Sequence, residues 1–305
     1  MKKLIIHIGH GKTGSSYLQS VFALNKDMLK KEGFDYPDHE DSKVAEIGYI
    51  SSGNGNLLLE NDFFDTEYEC LFFSSENLFR ELIIRREKIL SLSKNYNLEV
   101  VLYTRNVIEH RLSQWGQYVK RHGGISDFNT FLINKKYDVL ELVMKWIRLS
   151  DEIGFELTLR NYSKLKGSLE QDFFTHVLKL QHCIKNLSLP DQVQVNRSLT
   201  HTEYEIQRVF NAAYGRPSHL YISDFLVNKF PEEASYKPSL SENTYKQILN
   251  ENLNLMNSIN LCIDEDIHLE IGDKIECTSG ENTQIKSFDN DKCMDLGKSI
   301  KRSVK

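Results

Sequence analysis

The sequence predicts an α/β fold, a three-layer sandwich with a mostly parallel central sheet and a helical extension at its C-terminal end. Three observations carry this. Short, almost wholly apolar runs recur along the first half of the chain. Amphipathic helical patterns separate them, and from about Thr200 only helical patterns remain. Apolar runs without alternation read as strands buried on both faces. Their alternation with helices calls for right-handed crossovers between parallel neighbours.

The first strand is Leu4 to Ile8, which ends in a glycine-rich turn. A helix follows, capped by Ser15 or Ser16, with Tyr17, Leu18, Val21, Phe22, Met28 and Leu29 as one apolar stripe. Residues 33–65 are rich in Gly, Asn, Asp and Ser and read as loop and short helix, a candidate lid. Cys70 to Ser75 is the second strand, followed by a helix through Leu78, Leu82, Ile83 and Leu90. Glu99 to Thr104 is the third, followed by a helix carrying Ile108, Leu112, Trp115 and Val119. A helix over 140–149 precedes the fourth strand, Phe155 to Arg160. Residues 1–264 then form one α/β domain, of which 200–264 is the helical extension. Apolar residues thin out after Asp264, so 265–305 reads as an extended or disordered tail.

A chain of 305 residues with 40% hydrophobic residues can bury a large core. The net charge of −5 gives no basic field for nucleic acid, so an anionic ligand has to be met by a local cation cluster. The five cysteines, Cys70, Cys183, Cys262, Cys277 and Cys293, are scattered and never spaced C-x-x-C, which argues against a disulfide framework and a zinc site. A reducing cytoplasm is the expected location. The apolar start is too short for a secretory signal, and no segment reaches the roughly 20 apolar residues of a membrane span, which leaves only peripheral membrane contact open.

The turn after the first strand reads "HIGHGKTGSSYLQ" from His7. Gly-Lys-Thr is half of an ATP-binding signature, but the glycine that should open the full loop would fall at Ile6. A strand running through Gly9, Gly11, Lys12, Thr13, Gly14, Ser15 and Ser16 into a helix aims backbone N–H groups and one ammonium at an anion. This is a P-loop-type phosphate-binding loop, although a bare G-K-T is more often the mark of a glycine-rich turn with a solvated lysine. It is short for wrapping a β-phosphate, and the second strand ends Ser74-Ser75-Glu76 with no aspartate to hold magnesium. No metal is expected.

A second cluster follows the third strand. Arg105 lies at its carboxyl end and Ser113 eight residues on, so the two can converge on one anion, where ligands of parallel sheets bind. Read plainly, Arg105 caps the strand and Arg111, Lys120 and Arg121 form a solvated helix face.

Together the two segments resemble the sulfotransferase family. "IGHGKTGSSYLQ" is similar to its 5′-phosphosulfate loop, and "RNVIEHRLS" to its 3′-phosphate motif with an Arg and a Ser eight apart. "FFSSENLF", the segment around Trp146 and "VNRSLTHTE" are similar to bacterial members acting on carbohydrates, so the likeness runs from residue 2 to about residue 215. The resemblance implies that Lys12, Thr13, Gly14, Ser15 and Ser16 hold the 5′-phosphosulfate of 3′-phosphoadenosine 5′-phosphosulfate, with adenosine 3′,5′-bisphosphate as product. It implies that Arg105 and Ser113 hold the 3′-phosphate. Gly11 stands where the family usually has proline, and Val107 where animal members often have proline or alanine. The family's late R-K-G segment is absent, with Arg197 as its substitute. The implied acceptor is a carbohydrate or other hydroxyl compound.

Glu76, at a strand end beside the loop, is the candidate general base, and Lys12 the group that neutralises the leaving oxygen. Glu76 equally suits the first turn of a helix. His7 should point into the sheet and His10 line the cofactor, with His110 and His122 on the surface. Trp115, Tyr118 and Tyr103 are candidates for a sugar platform, though aromatics at helical spacing are more often core. Competing readings are a small-molecule kinase with a degenerate ATP loop and an inactive nucleotide-binding scaffold on the same fold.

Overall fold

The computed structural model describes residues 1–39, 53–61, 63–190, 198–215, 218, 220–233, 235–273, 295–298 and 300. The chain divides into two compact units. The first comprises Met1–Val107, Tyr137–Gln194 and Asn252–Ile271, and the second Ile108–Lys136, Val195–Glu251 and Gly272–Lys305.

The first unit is α/β. Its strands are β1 (Lys3–His7), β2 (Phe34–Asp35), β3 (Cys70–Ser74), β4 (Asn97–Thr104) and β5 (Glu156–Asn161), in the order β2-β3-β1-β4-β5. Every pairing is parallel. The expected four strands are all present, and β2 is a two-residue edge strand too short to leave a periodic trace. Both sheet faces are buried. Ile5, Phe72, Val101 and Tyr103 pack under Leu18, Val21, Phe22, Phe173 and Phe174 on one side, while Leu4, Ile6, Phe73, Val100 and Leu102, pointing the other way, are fully buried too.

Helices α1 (Ser15–Leu24) and α2 (Lys26–Lys31) share the single apolar stripe seen in the sequence. They are parted at Asn25, whose side-chain amide donates to the carbonyls of Val21 (2.7 Å) and Ser188 (2.8 Å). After α3 (Gly55–Glu60), the helix expected from Leu78 to Leu90 is likewise two, α4 (Leu78–Ile84) and α5 (Arg86–Asn95), broken at Arg85. α6 (Val107–Arg121) starts in the first unit and continues in the second, where α7 (Phe128–Asn134) follows. α8 (Val139–Ile153) returns to the first unit and ends at Gly154, whose φ of 84° is the left-handed stop. α9 (Tyr162–Leu165) and α10 (Leu169–Asp172) follow β5.

A buried ionic cluster ties β4, β5 and α10 together. The Arg160 guanidinium forks onto the Asp172 carboxylate, and Tyr103 Oη donates to the same carboxylate at 2.6 Å. Arg160 also reaches Asp264 at 2.7 Å. Asp264 opens a segment that the sequence suggested was the start of a loose tail. Its first residues are docked: Ile267 and Leu269 are buried, and Asn161 donates to the carbonyl of His268 at 2.9 Å. Two apolar anchors and amide hydrogen bonds suffice, too few for a hydropathy pattern to register.

In the second unit Trp115 packs at a tilt against Tyr204 and Phe128, and Gly116 is required there, since a Cβ would stand 2.6 Å from Tyr204 Oη. Arg111 belongs to no solvated face. It is buried, donates to the carbonyls of Leu132 (3.1 Å) and Lys135 (2.7 Å), and so closes the C-terminus of α7. α11 (His201–Tyr214) opens with a full capping box between Thr200 and Glu203, and α12 (Ser223–Lys229) and α13 (Glu242–Asn260) follow. Among the described residues no helix is long and apolar enough to cross a membrane.

Asp172→Ala leaves Arg160 with only the exposed Asp264 carboxylate and Tyr103 without its acceptor, so it should lower stability by up to about 3–5 kcal/mol. Urea unfolding of the variant against wild type measures it, with Thr200→Ala, a capping loss of about 1 kcal/mol, as the mild reference.

Candidate active site

In a parallel sheet the strand ends that carry loops into helices lie on one edge, and ligands settle where neighbouring strands send the chain to opposite sides. β1 leads toward β2 and β3, while β4 leads toward β5. The crevice therefore falls between the ends of β1 and β4. The residues of the "GHGKTGSS" loop and Arg105 occupy those two ends.

The loop leaves the sheet after Ile8, whose N–H donates to the Val101 carbonyl at 2.9 Å. Thr13 Oγ1 donates to the His10 carbonyl at 2.7 Å and closes the loop on itself. Lys12 takes a left-handed conformation, φ 74°, which costs a non-glycine residue about 1–2 kcal/mol. Its carbonyl is held by Arg105 Nη1 at 2.9 Å. Gly14, φ 79°, has no room for a side chain: a Cβ would lie 2.5 Å from Leu169 and 2.9 Å from Tyr162. The Arg105 guanidinium lies 5.2 Å over the same Tyr162 ring.

Gly14 begins α1, which has no side-chain cap and no acid in its first turn. Ser15 Oγ is buried without a hydrogen-bond partner, and a Cβ on Gly9 would sit 1.9 Å from it. Uncapped N–H groups, an unsatisfied buried hydroxyl and a backbone that admits only glycine are together equipped to take an anion. Ser16 is half-buried one residue on.

Glu76 follows β3 and reaches toward the loop: its Oε2 is 3.6 Å from where a Cβ on Gly11 would be. Surrounding protein raises its carboxyl above the ordinary range although the side chain keeps solvent access, and the Lys12 ammonium opposes the shift. The loop and Glu76 thus come together, as does Arg105. Ser113 lies half-buried on α6 in the second unit. Arg197 lies outside the described residues, as do residues 40–52 and 62 of the expected lid.

The three candidate platform aromatics are engaged in internal packing instead. Tyr103 is buried on β4 with its Oη donating to Asp172, and Trp115 is buried with its Nε1 donating to the Ser126 carbonyl at 3.0 Å. Tyr118 packs on Phe131 and under the Lys135 ammonium. His110, expected on the surface, is buried, whereas His122 is exposed.

Sequence reasoning missed the part played by "GNG". Asn54 is buried and grips β3, accepting from the Ser74 N–H at 2.8 Å and donating to the Phe72 carbonyl at 3.3 Å. Gly53 and Gly55 press on Ser74 and Ser75 so closely that added Cβ atoms would stand 1.9 and 2.4 Å from them. An Asn between two glycines is a signal of such close approach.

His7 and His10 are buried and neutral. Burial lowers His7 to about 3, with Nδ1 at 2.8 Å from Ser74 Oγ, and lowers His10 to about 4, with the cations Arg105 and Arg80 adding to it. Unfolded, both titrate near about 6.5. Below that pH the unfolded chain takes up protons that the native chain refuses, so stability should fall as pH drops from about 6.5 toward 4. Urea midpoints at neutral and mildly acidic pH should show the fall, and His10→Gln should shrink it.

Neither a protein-family model nor a curated protein matches the chain.

Proposed function

We propose that the chain is a sulfotransferase, moving a sulfuryl group from 3′-phosphoadenosine 5′-phosphosulfate to a hydroxyl of an acceptor, a glycan or glycan precursor. The observation that carries this is the Lys12 to Ser16 loop at the β1 end, with its uncapped helix start, its unsatisfied Ser15 hydroxyl and Arg105 bound to it. That arrangement fits one phosphate bearing a transferable group, and the motifs it comes from resemble the donor-binding segments of that family.

The donor, when bound, supplies the sulfuryl group and a phosphate leaving oxygen. The α1 N–H groups and the hydroxyls of Ser15 and Ser16 would hold its 5′ end, with Thr13 closing the loop behind them, and Arg105 would hold its 3′-phosphate, to which the family resemblance adds Ser113. Lys12 would neutralise the negative charge that grows as the bond to the leaving oxygen breaks. Glu76 would take the proton of the acceptor hydroxyl, and its upward shift brings a carboxylate closer to the pH at which a base works best. The reading assigns no metal.

Thermal-shift measurements test it. Adenosine 3′,5′-bisphosphate at 100 times its dissociation constant should stabilise the fold by about 2.7 kcal/mol. Stabilisation by ATP with magnesium instead would favour a kinase. Binding of the bisphosphate without transfer to any acceptor would favour a scaffold.

With an acceptor in hand, Lys12→Ala should lower kcat by roughly 10²–10³ with a smaller effect on donor affinity. Glu76→Gln should lower kcat by roughly 10²–10⁴ with donor binding intact. Wild-type turnover in either variant removes that residue from its role.

A further inference from the structure

Away from the loop, one group of side chains combines three kinds of donor. Glu32 closes α2, and His182 and Cys183 stand together on the 3₁₀ turn Gln181–Asn186. Glu32 Oε2 lies 3.2 Å from His182 Nε2. One carboxylate oxygen, one imidazole nitrogen and one sulfur all lie within 4.8 Å of one another. Among the described residues, no other His, Cys, Asp and Glu side chains converge in this way.

We propose that Glu32, His182 and Cys183 bind a single Zn²⁺, with water as the fourth ligand. Zinc bonds of about 2.0–2.3 Å in a tetrahedron set neighbouring donors about 3.3–3.6 Å apart, and the Glu32–His182 pair is already near that spacing. The donor set selects the metal. Imidazole and thiolate suit zinc and disfavour calcium or magnesium, while carboxylate and thiolate balance its two charges.

The two segments are held in place without the ion. The Asn25 side chain donates to the Ser188 carbonyl at 2.8 Å and accepts its N–H at 2.9 Å, and Leu29 shares a core cluster with Leu180 and Cys183. Glu32 and His182 are exposed, which leaves a path for the ion, and Cys183 is buried beneath them. Binding forms a Zn–S bond and releases the thiol proton to solvent, with no change of oxidation state. Spacing arguments do not find such a site, because two ligands are adjacent and the third is distant in the chain.

Cobalt titration of chelator-treated full-length protein tests the proposal. One equivalent of Co²⁺ should give a thiolate-to-cobalt charge-transfer band and the visible bands of tetrahedral cobalt, and Zn²⁺ should bleach both. Cys183→Ser and His182→Ala should each lose these bands and bind Zn²⁺ weaker by on the order of a hundredfold or more. Cys262→Ser, at an exposed thiol elsewhere, should keep them. No thiolate band in wild type, or a band that survives in His182→Ala, overturns the site. His182 is exposed, so circular dichroism of that variant keeps the result readable even if Cys183→Ser does not fold.

Discussion

The buried Arg160–Asp172 pair is the contact on which the site's geometry rests. Arg160 fixes the end of β5, Asp172 holds Tyr103 near the end of β4, and Asp264 brings in the segment beyond α13. Two residues past Tyr103 stands Arg105, and two past Arg160 stands Tyr162, the ring beneath it. Thr104 Oγ1 donates to the Arg160 carbonyl at 3.0 Å and locks the two strand ends to each other. A guanidinium that must reach the Lys12 carbonyl is thus set by an ion pair at the carboxyl ends of the two strands that carry it and its ring partner. Burying such a pair confers little net stability, whereas breaking it by removing one partner is costly.

Much of the fold was legible because a parallel sheet buried on both faces leaves continuous apolar runs. β1, β3 and β4 have them, β5 at the sheet edge shows only Leu157 and Leu159 between polar residues, and Gly9 to Gly14 announces its turn by composition. What escaped was held by polar atoms. Asn54 grips two backbone groups of β3 and the carbonyl of Pro37, and Asn161 and Asn106 grip the 268–270 segment. An asparagine in such a role has the same letter as one in a solvent loop. Helix breaks at Asn25 and Arg85 escaped for a related reason, since the apolar stripe continues across them.

The site divides in the same way. Lys12, Ser15 and Glu76 could be named from strand-end position alone. That Arg105 grips the loop's own backbone could not, because a carbonyl acceptor has no residue type to recognise. The aromatics misled: Trp115 and Tyr103 each bury a polar tip on an internal partner, so they act as core despite their suitability for sugars.

Lys12 carries a tension between backbone and side chain. Its left-handed φ is a conformation that glycine adopts freely, so selection for stability alone would place glycine there. A charged, flexible side chain is kept instead at a strained position. Stability and charge therefore make opposite demands of this one residue, and engineering the loop for robustness would pass through the loss of its only cation.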